Sequence, residues 1–271
     1  MTTNSEPAVL SVTSLQAPHA DPFCRRLTAY LAEHLGTPAH FVDDEPWQER
    51  ERRLDGGEID VAWICGLPYV LRRDRPDPTV TLLAAPVMAQ PRYEDRPVYF
   101  SDVVVQRASP FRTLADLSGT RWAYNEPSSH SGYSITRYAL ARAGLGSDFF
   151  ASAVEAGSHQ QALELLLAGE VDGTALDSTV LDAMTLRRPA LKEDLRVIDT
   201  WGPSPIPPWV VSSHVGEGSL ARLQEVFTSM HRDEAGRELL RTAHVTRFAS
   251  VEDADYESIR QMARIAEAVS L

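Results

Sequence analysis

Short apolar runs alternate with amphipathic stretches of helical length, and this alternation restricts the chain's fold more than any other property. "AVLSVTS" precedes "FCRRLTAYLAEHLG", "AHFVD" precedes "PWQERERRLDGG", and "IDVAWIC" precedes "LPYVLRRD". A strand that returns through a helix to lie beside its predecessor builds a parallel sheet, so the pattern predicts an α/β fold. Gly36 and the pair Gly56 and Gly57 close two helical stretches, while Asp21-Pro22 opens one. After the β-branched run "VYFSDVVVQRAS" the alternation begins again, through "TRWAY", "FASAVEAG", "HQQALELLLAGE" and "VDGTALD". A proline-framed run, "PSPIPPWVVSSH", then leads into three further helical stretches. Crossing segments near 102–107 and 206–212 are therefore expected to divide the chain into two lobes. Lobe 1 is discontinuous, 1–104 with 209–271, and lobe 2 is 105–208. Two lobes joined by two extended crossings predict a hinge and a cleft, where ligands commonly bind.

Composition removes several function classes. The 271 residues are 43% hydrophobic and 24% charged, enough for a full core. A net charge of -12, with no basic block longer than two arginines, argues against a nucleic-acid partner or an anionic membrane surface. No stretch approaches the roughly 18 apolar residues of a membrane span, so no transmembrane segment is expected. "MTTNSEPAVLSVTS" has no basic n-region or signal-length apolar run, which reads as cytoplasmic for the sequence as given. Cys24 and Cys65 match no metal spacing, and neither a metal nor a cofactor is expected. No Walker-type loop, GxSxG elbow, HExxH or paired CxxC occurs.

The stretch "NEPSSHSGYS", Asn125 to Ser134, carries the chemistry. It sits between a strand-like run and a helix, where a helix N-terminus offers unpaired N–H groups and partial positive charge. Ser128, Ser129 and Ser131 add hydroxyl donors, and Gly132 lets a ligand approach the backbone. A phosphate- or phosphonate-like oxyanion is the natural guest. The alternative is a single capping serine among loop residues.

These residues resemble the phosphonate, phosphite and phosphate substrate-binding proteins of ABC importers, within the type 2 periplasmic-binding-protein superfamily. The resemblance runs over nearly the whole chain, through "LAEHLGTPAHF", "LDGGEIDVAWICGLPYV", "YFSDVVV", "SPFRTLADLSGTRWAYNEPSSHSGYS", "EAGSHQQALELLLAGEVDGTALD", "SPIPPWVV" and "DADYESIRQM". It implies a two-lobed clamp of mixed sheets flanked by helices, a small phosphorus oxyanion as ligand, and an ABC permease as partner. Family members work in the periplasm or anchored outside the membrane. The family's Ser-Thr-Ser-Gly loop falls on Ser129, His130, Ser131 and Gly132, with histidine in place of threonine. His130 adds bulk and a potential positive charge there, or simply faces solvent. Tyr99, in a Tyr-x-Ser with Ser101, corresponds to a family anion donor, against a packed core tyrosine. His159 matches the anion-contacting histidine, against a polar cap. Asp177 lies near the acidic position that engages an amino substituent, whereas Asp172 reads as a turn residue. Trp47 and Trp209 would shape the pocket around the ligand's substituent, or else belong to the core or stiffen a crossing. The rival reading is an enzyme on the same clamp fold, using Cys65 with His130 and His159 as thiolate and imidazole partners.

Overall fold

The computed structural model describes residues 8–17 and 20–271. In chain order the first elements are β1 (Leu10–Ser14), α1 (Asp21–Leu35), β2 (Ala39–Phe41), α2 (Trp47–Asp55), β3 (Val61–Trp63), α3 (Gly66–Arg73) and β4 (Val80–Met88). Next come β5 (Val98–Gln106), β6 (Arg121–Tyr124), α4 (Ile135–Arg142), β7 (Ser152–Glu155), α5 (His159–Leu167), β8 (Gly173–Asp177), α6 (Ser178–Arg187) and α7 (Leu191–Asp194). The chain finishes through β9 (Leu195–Pro205), β10 (Trp209–Ser212), α8 (Glu217–Ser229), α9 (Glu234–Thr242), β11 (Val245–Ala249) and α10 (Glu257–Ala266).

These elements form two compact units. One runs to Val98 and resumes over Pro205–Tyr256; the other is Tyr99–Ser204 with Glu257–Leu271. The first holds a six-stranded sheet in the order β11-β4-β10-β3-β1-β2. β1 pairs in parallel with β2 and β3, as the α1 and α2 crossovers require, whereas β10 runs antiparallel between β3 and β4. β10 is thus an interior strand whose four residues are all buried. The backbone carbonyls of the prolines before it are in use: Pro208 accepts from Ile64 N, and Pro207 from Trp63 Nε1. A polar staple, buried at Asp60 and exposed at His214, ties β1 to the residues beside β3 and β10. Asp60 accepts from Ser11 N and Oγ at 2.7 Å and contacts His214 Nε2 at 2.9 Å, while His214 Nδ1 meets Ser212 Oγ at 2.8 Å.

The second unit holds a five-stranded sheet, β7-β6-β8-β5-β9. β6 pairs in parallel with β7 and β8, and β5 is antiparallel to β8. Alternation along β5 and β8 sends Val104 and Leu176 to the face covered by α5, α6 and α7, and Val103, Val105 and Ala175 to the other. On that second face Trp122 stacks on Phe150 at 4.7 Å, with Leu117, Leu140 and Val269 around them.

The expected lobe boundaries are corrected in two ways. The chain changes units after Val98 and after Ser204, earlier than the 104 and 208 read from the apolar runs. It then crosses a third time, because α10 and the residues after it belong with Tyr99–Ser204 rather than with 209–256. The cause is packing: Ile259, Ala266 and Val269 are buried, Arg137 Nε donates to Val269 O at 2.5 Å, and Ser270 N donates to Ser147 Oγ at 2.8 Å. Burying a large aliphatic side chain contributes about 2 kcal/mol. Truncation after Tyr256 is therefore expected to lower amide-exchange protection across α4, by several kcal/mol of local stability, while β1 and β3 keep theirs. Hydrogen exchange read by mass spectrometry checks this.

Candidate functional site

The serine stretch folds as a turn that joins β6 to α4. Ser129, with extended backbone (φ -76°, ψ 133°), caps a π-helical turn over His130–Ser134. Its carbonyl accepts from Ser134 N at 3.0 Å and its Oγ accepts from Gly132 N at 3.2 Å. One-turn π segments recur at functional sites, where they re-aim side chains that an α-turn would stack. Here Ser129 Oγ and Ser131 Oγ lie 3.3 Å apart, and Ser131 Oγ is 2.7 Å from His159 Nε2. His159 is the first residue of α5, whose N-cap is Ser158 Oγ, accepting from Gln161 N at 3.1 Å. Two helix mouths thus bring Ser129, Ser131, Gly132 and His159 into one buried, donor-rich cluster. Ser128 precedes the cluster in a turn and is half-buried.

Gly132 is packed so closely that a side chain there would force its neighbours to move. A Cβ on Gly132 would lie 2.1 Å from Asn125 Oδ1 and 3.2 Å from His159 Cε1. Asn125 went unassigned in the sequence; its backbone carbonyl accepts from Gly157 N at 2.7 Å, and its buried Oδ1 has no hydrogen-bond partner among the described residues. Its mark in the sequence is slight: a short polar residue just past a strand, seven positions before a glycine.

His130 is not the solvent-facing residue that one of the sequence alternatives expects. It neither faces solvent nor carries charge: it is 0% exposed, with Nε2 3.2 Å from Ser204 Oγ, and burial pushes its pKa down to about 4. Ser204, itself 1% exposed, lies 74 residues away in sequence, and nothing local marks it. Asp177 ends β8 and caps α6, its Oδ1 accepting from Thr179 N at 2.8 Å and Thr179 Oγ1 at 2.7 Å. Burial raises its pKa to about 6, against the hydrogen bonds from Thr179 that favour the carboxylate. Asp172 pairs with Arg121 at the start of β6, as a turn residue would. Tyr99 is buried on β5, and Ser101, also on β5, stands opposite Asp177 in the β5–β8 register.

The remaining candidates lie in the first unit. Trp47, at the start of α2, is 41% exposed. Trp209 is 0% exposed, stacked on Trp63 at 5.6 Å and beside Phe227 at 5.5 Å, so its ring is packed in the core of this unit. Trp63 is the partly exposed member of that pair. Cys65 precedes α3 in the first unit, whereas His130 and His159 belong to the second, where His130 is directed at Ser204. Cys24 is a buried thiol of α1 whose pKa burial pushes up to about 12, an inert core group. Among the described residues no helix is long and apolar enough to cross a membrane.

Two predictions follow from this geometry. Gly132→Ala is expected to displace the turn and speed amide exchange over residues 129–134, with Asn125→Ala in the same chain restoring part of the protection; hydrogen exchange on both variants decides. The second concerns pH. His130 contributes stability that is complete above its free value of 6.5 and is lost as pH falls toward about 4. Asp177 does the opposite, its burial cost appearing as pH rises from 3.8 through about 6. Each linkage is on the order of 3 kcal/mol, and the two largely cancel. Relative to the parent, His130→Gln is expected to gain stability as pH falls through that window and Asp177→Asn as pH rises, read from urea unfolding at either end.

Residues 19–256 match the profile of a family described as "ABC transporter, phosphonate, periplasmic substrate-binding protein". The structure is similar to PhnD1 from Prochlorococcus marinus in complex with methylphosphonate, with TM-score 0.82 at 20% identity over 97% of this chain and 100% of that one. It is also similar to a binding-protein component of an ABC phosphonate transporter from Pseudomonas aeruginosa, with TM-score 0.83 at 16% identity over 97% and 87%. A protein from Xanthomonas citri bound to ATP gives 0.77 at 18% identity over 97% and 100%. At such identities the likeness speaks for the fold, the two-lobed type 2 periplasmic-binding-protein fold with its paired mixed sheets.

Proposed function

The chain belongs to the family of periplasmic substrate-binding proteins of phosphonate ABC transporters, and from that membership we propose that it binds a small alkyl- or aminoalkylphosphonate by its PO₃ head at the serine turn. The observation that carries this reading is the convergence of Ser129, Ser131, His159 and the Gly132 backbone on one buried cluster. Hydroxyl and N–H donors at a helix mouth satisfy phosphonate oxygens without a permanent cation. Arg137, on the helix that follows, is engaged elsewhere, donating to Val269 O and lying 5.0 Å over the Tyr133 ring. Asp177 is the carboxylate that would favour an ammonium substituent, at a pH above its raised pKa of about 6. In this reading the protein hands its ligand to an ABC permease and works on the outer side of the cytoplasmic membrane.

Calorimetry with methylphosphonate, aminoethylphosphonate, phosphite, phosphate and sulfate tests the assignment. A hydrogen bond to a charged group contributes about 1.5–3 kcal/mol, so Ser131→Ala is expected to weaken phosphonate binding by about 10- to 100-fold. Asp177→Asn, which keeps the cap acceptor, is expected to weaken aminoethylphosphonate alone. Phosphonate binding unaffected by Ser131→Ala would remove the serine turn from the site.

A further inference from the structure

His130 has a place in the second unit that the binding role of its neighbours does not explain. It stands between Ser129 and Ser131, yet its ring leaves their cluster and meets Ser204 Oγ. Ser204 lies on β9, the edge strand next to β5, whereas the turn springs from β6. Three strand steps separate β6 from β9 in the sheet, about 14 Å at normal strand spacing. The turn is therefore held covalently at β6 and α4, and by this imidazole at the far edge of the same sheet.

The arrangement has a cost that a space-filling residue would avoid. His130 Nδ1 is buried with no hydrogen-bond partner among the described residues, and a leucine would leave no orphaned polar atom there. A histidine accepted on those terms needs what its other nitrogen does. Burial keeps the ring uncharged, which suits a hydroxyl partner and removes it as a counter-charge for an anion.

We propose that His130 is a positioning residue: through Ser204 it fixes the serine turn against the end of β9 and so sets where Ser129 and Ser131 present their hydroxyls. The consequence for binding rests on the reading that this turn holds the oxyanion; the tether itself does not.

A double-mutant cycle on the full chain tests both parts, using His130→Leu, His130→Gln, Ser204→Ala and the pair His130→Leu with Ser204→Ala. Methylphosphonate is the probe. His130→Leu and Ser204→Ala are each expected to weaken binding by about tenfold, and the pair no further, because both break one link. His130→Gln, whose amide nitrogen reaches as far as Nε2, is expected to stay within about threefold of the parent, which a purely structural loss would not allow. Ser204→Ala binding as tightly as the parent, or single effects that multiply in the pair, would overturn the proposal. Amide exchange of residues 129–134 without ligand reports on the tether separately. Faster exchange in Ser204→Ala is expected, and unchanged exchange refutes the tether. If the parent chain binds no methylphosphonate while Ser204→Ala still loosens the turn, the binding reading fails and the tether stands.

Discussion

The close approach of Asn125 to Gly132 is the constraint on which the rest of the candidate site depends. An amide oxygen occupies the space that any other residue's Cβ would fill, with the His159 ring directly beside it. The backbone at 132 comes this near within a turn of π form, in which Ser131 Oγ reaches within 2.7 Å of His159 Nε2. Loss of that clearance would separate the two helix mouths that supply the donors. The geometry is thus set by an absence of atoms as much as by the groups present.

How much of this was legible in the sequence depends on the range of the interaction concerned. The α/β class was readable because alternation of strand and helix is written every few residues, and β1, β2 and β3 pair as the crossovers demand. The serine turn was readable for the same reason, since a helix mouth needs only neighbours in the chain. Trp209 was not. Its environment comes from lying between β3 and β4, strands more than a hundred residues earlier. The final helix escapes a sequence reading because an amphipathic stripe states that one face is buried and is silent about the partner, here α4. His130 shows the same limit at a single side chain: a histidine in a serine loop carries no sign of the hydroxyl 74 residues away that its Nε2 meets.

Buried ionisable groups account for much of the second unit's character. Asp177 and His130 are both removed from water, and burial drives each toward its uncharged form from opposite sides of neutrality. Neither can be assigned by residue type alone. Asp177 also caps a helix, so whatever selectivity it confers is coupled to the start of α6. The specificity proposed for Asp177 would thus share one carboxylate with local stability, and substitutions that keep an acceptor oxygen are the ones that separate them.

The donors of the serine turn already satisfy one another: Gly132 N meets Ser129 Oγ, Ser129 Oγ lies near Ser131 Oγ, and Ser131 Oγ meets His159 Nε2. Entry of an anion is then an exchange reaction, in which existing bonds are traded for new ones rather than added to. Such a trade favours a guest that replaces the whole chain of contacts at once. A tetrahedral group with three adjacent oxygens can do so, while a halide or a lone carbonyl breaks several bonds and returns one. In the proposed reading, discrimination at the serine turn follows from the collective threshold that a self-satisfied network imposes on anything that would open it.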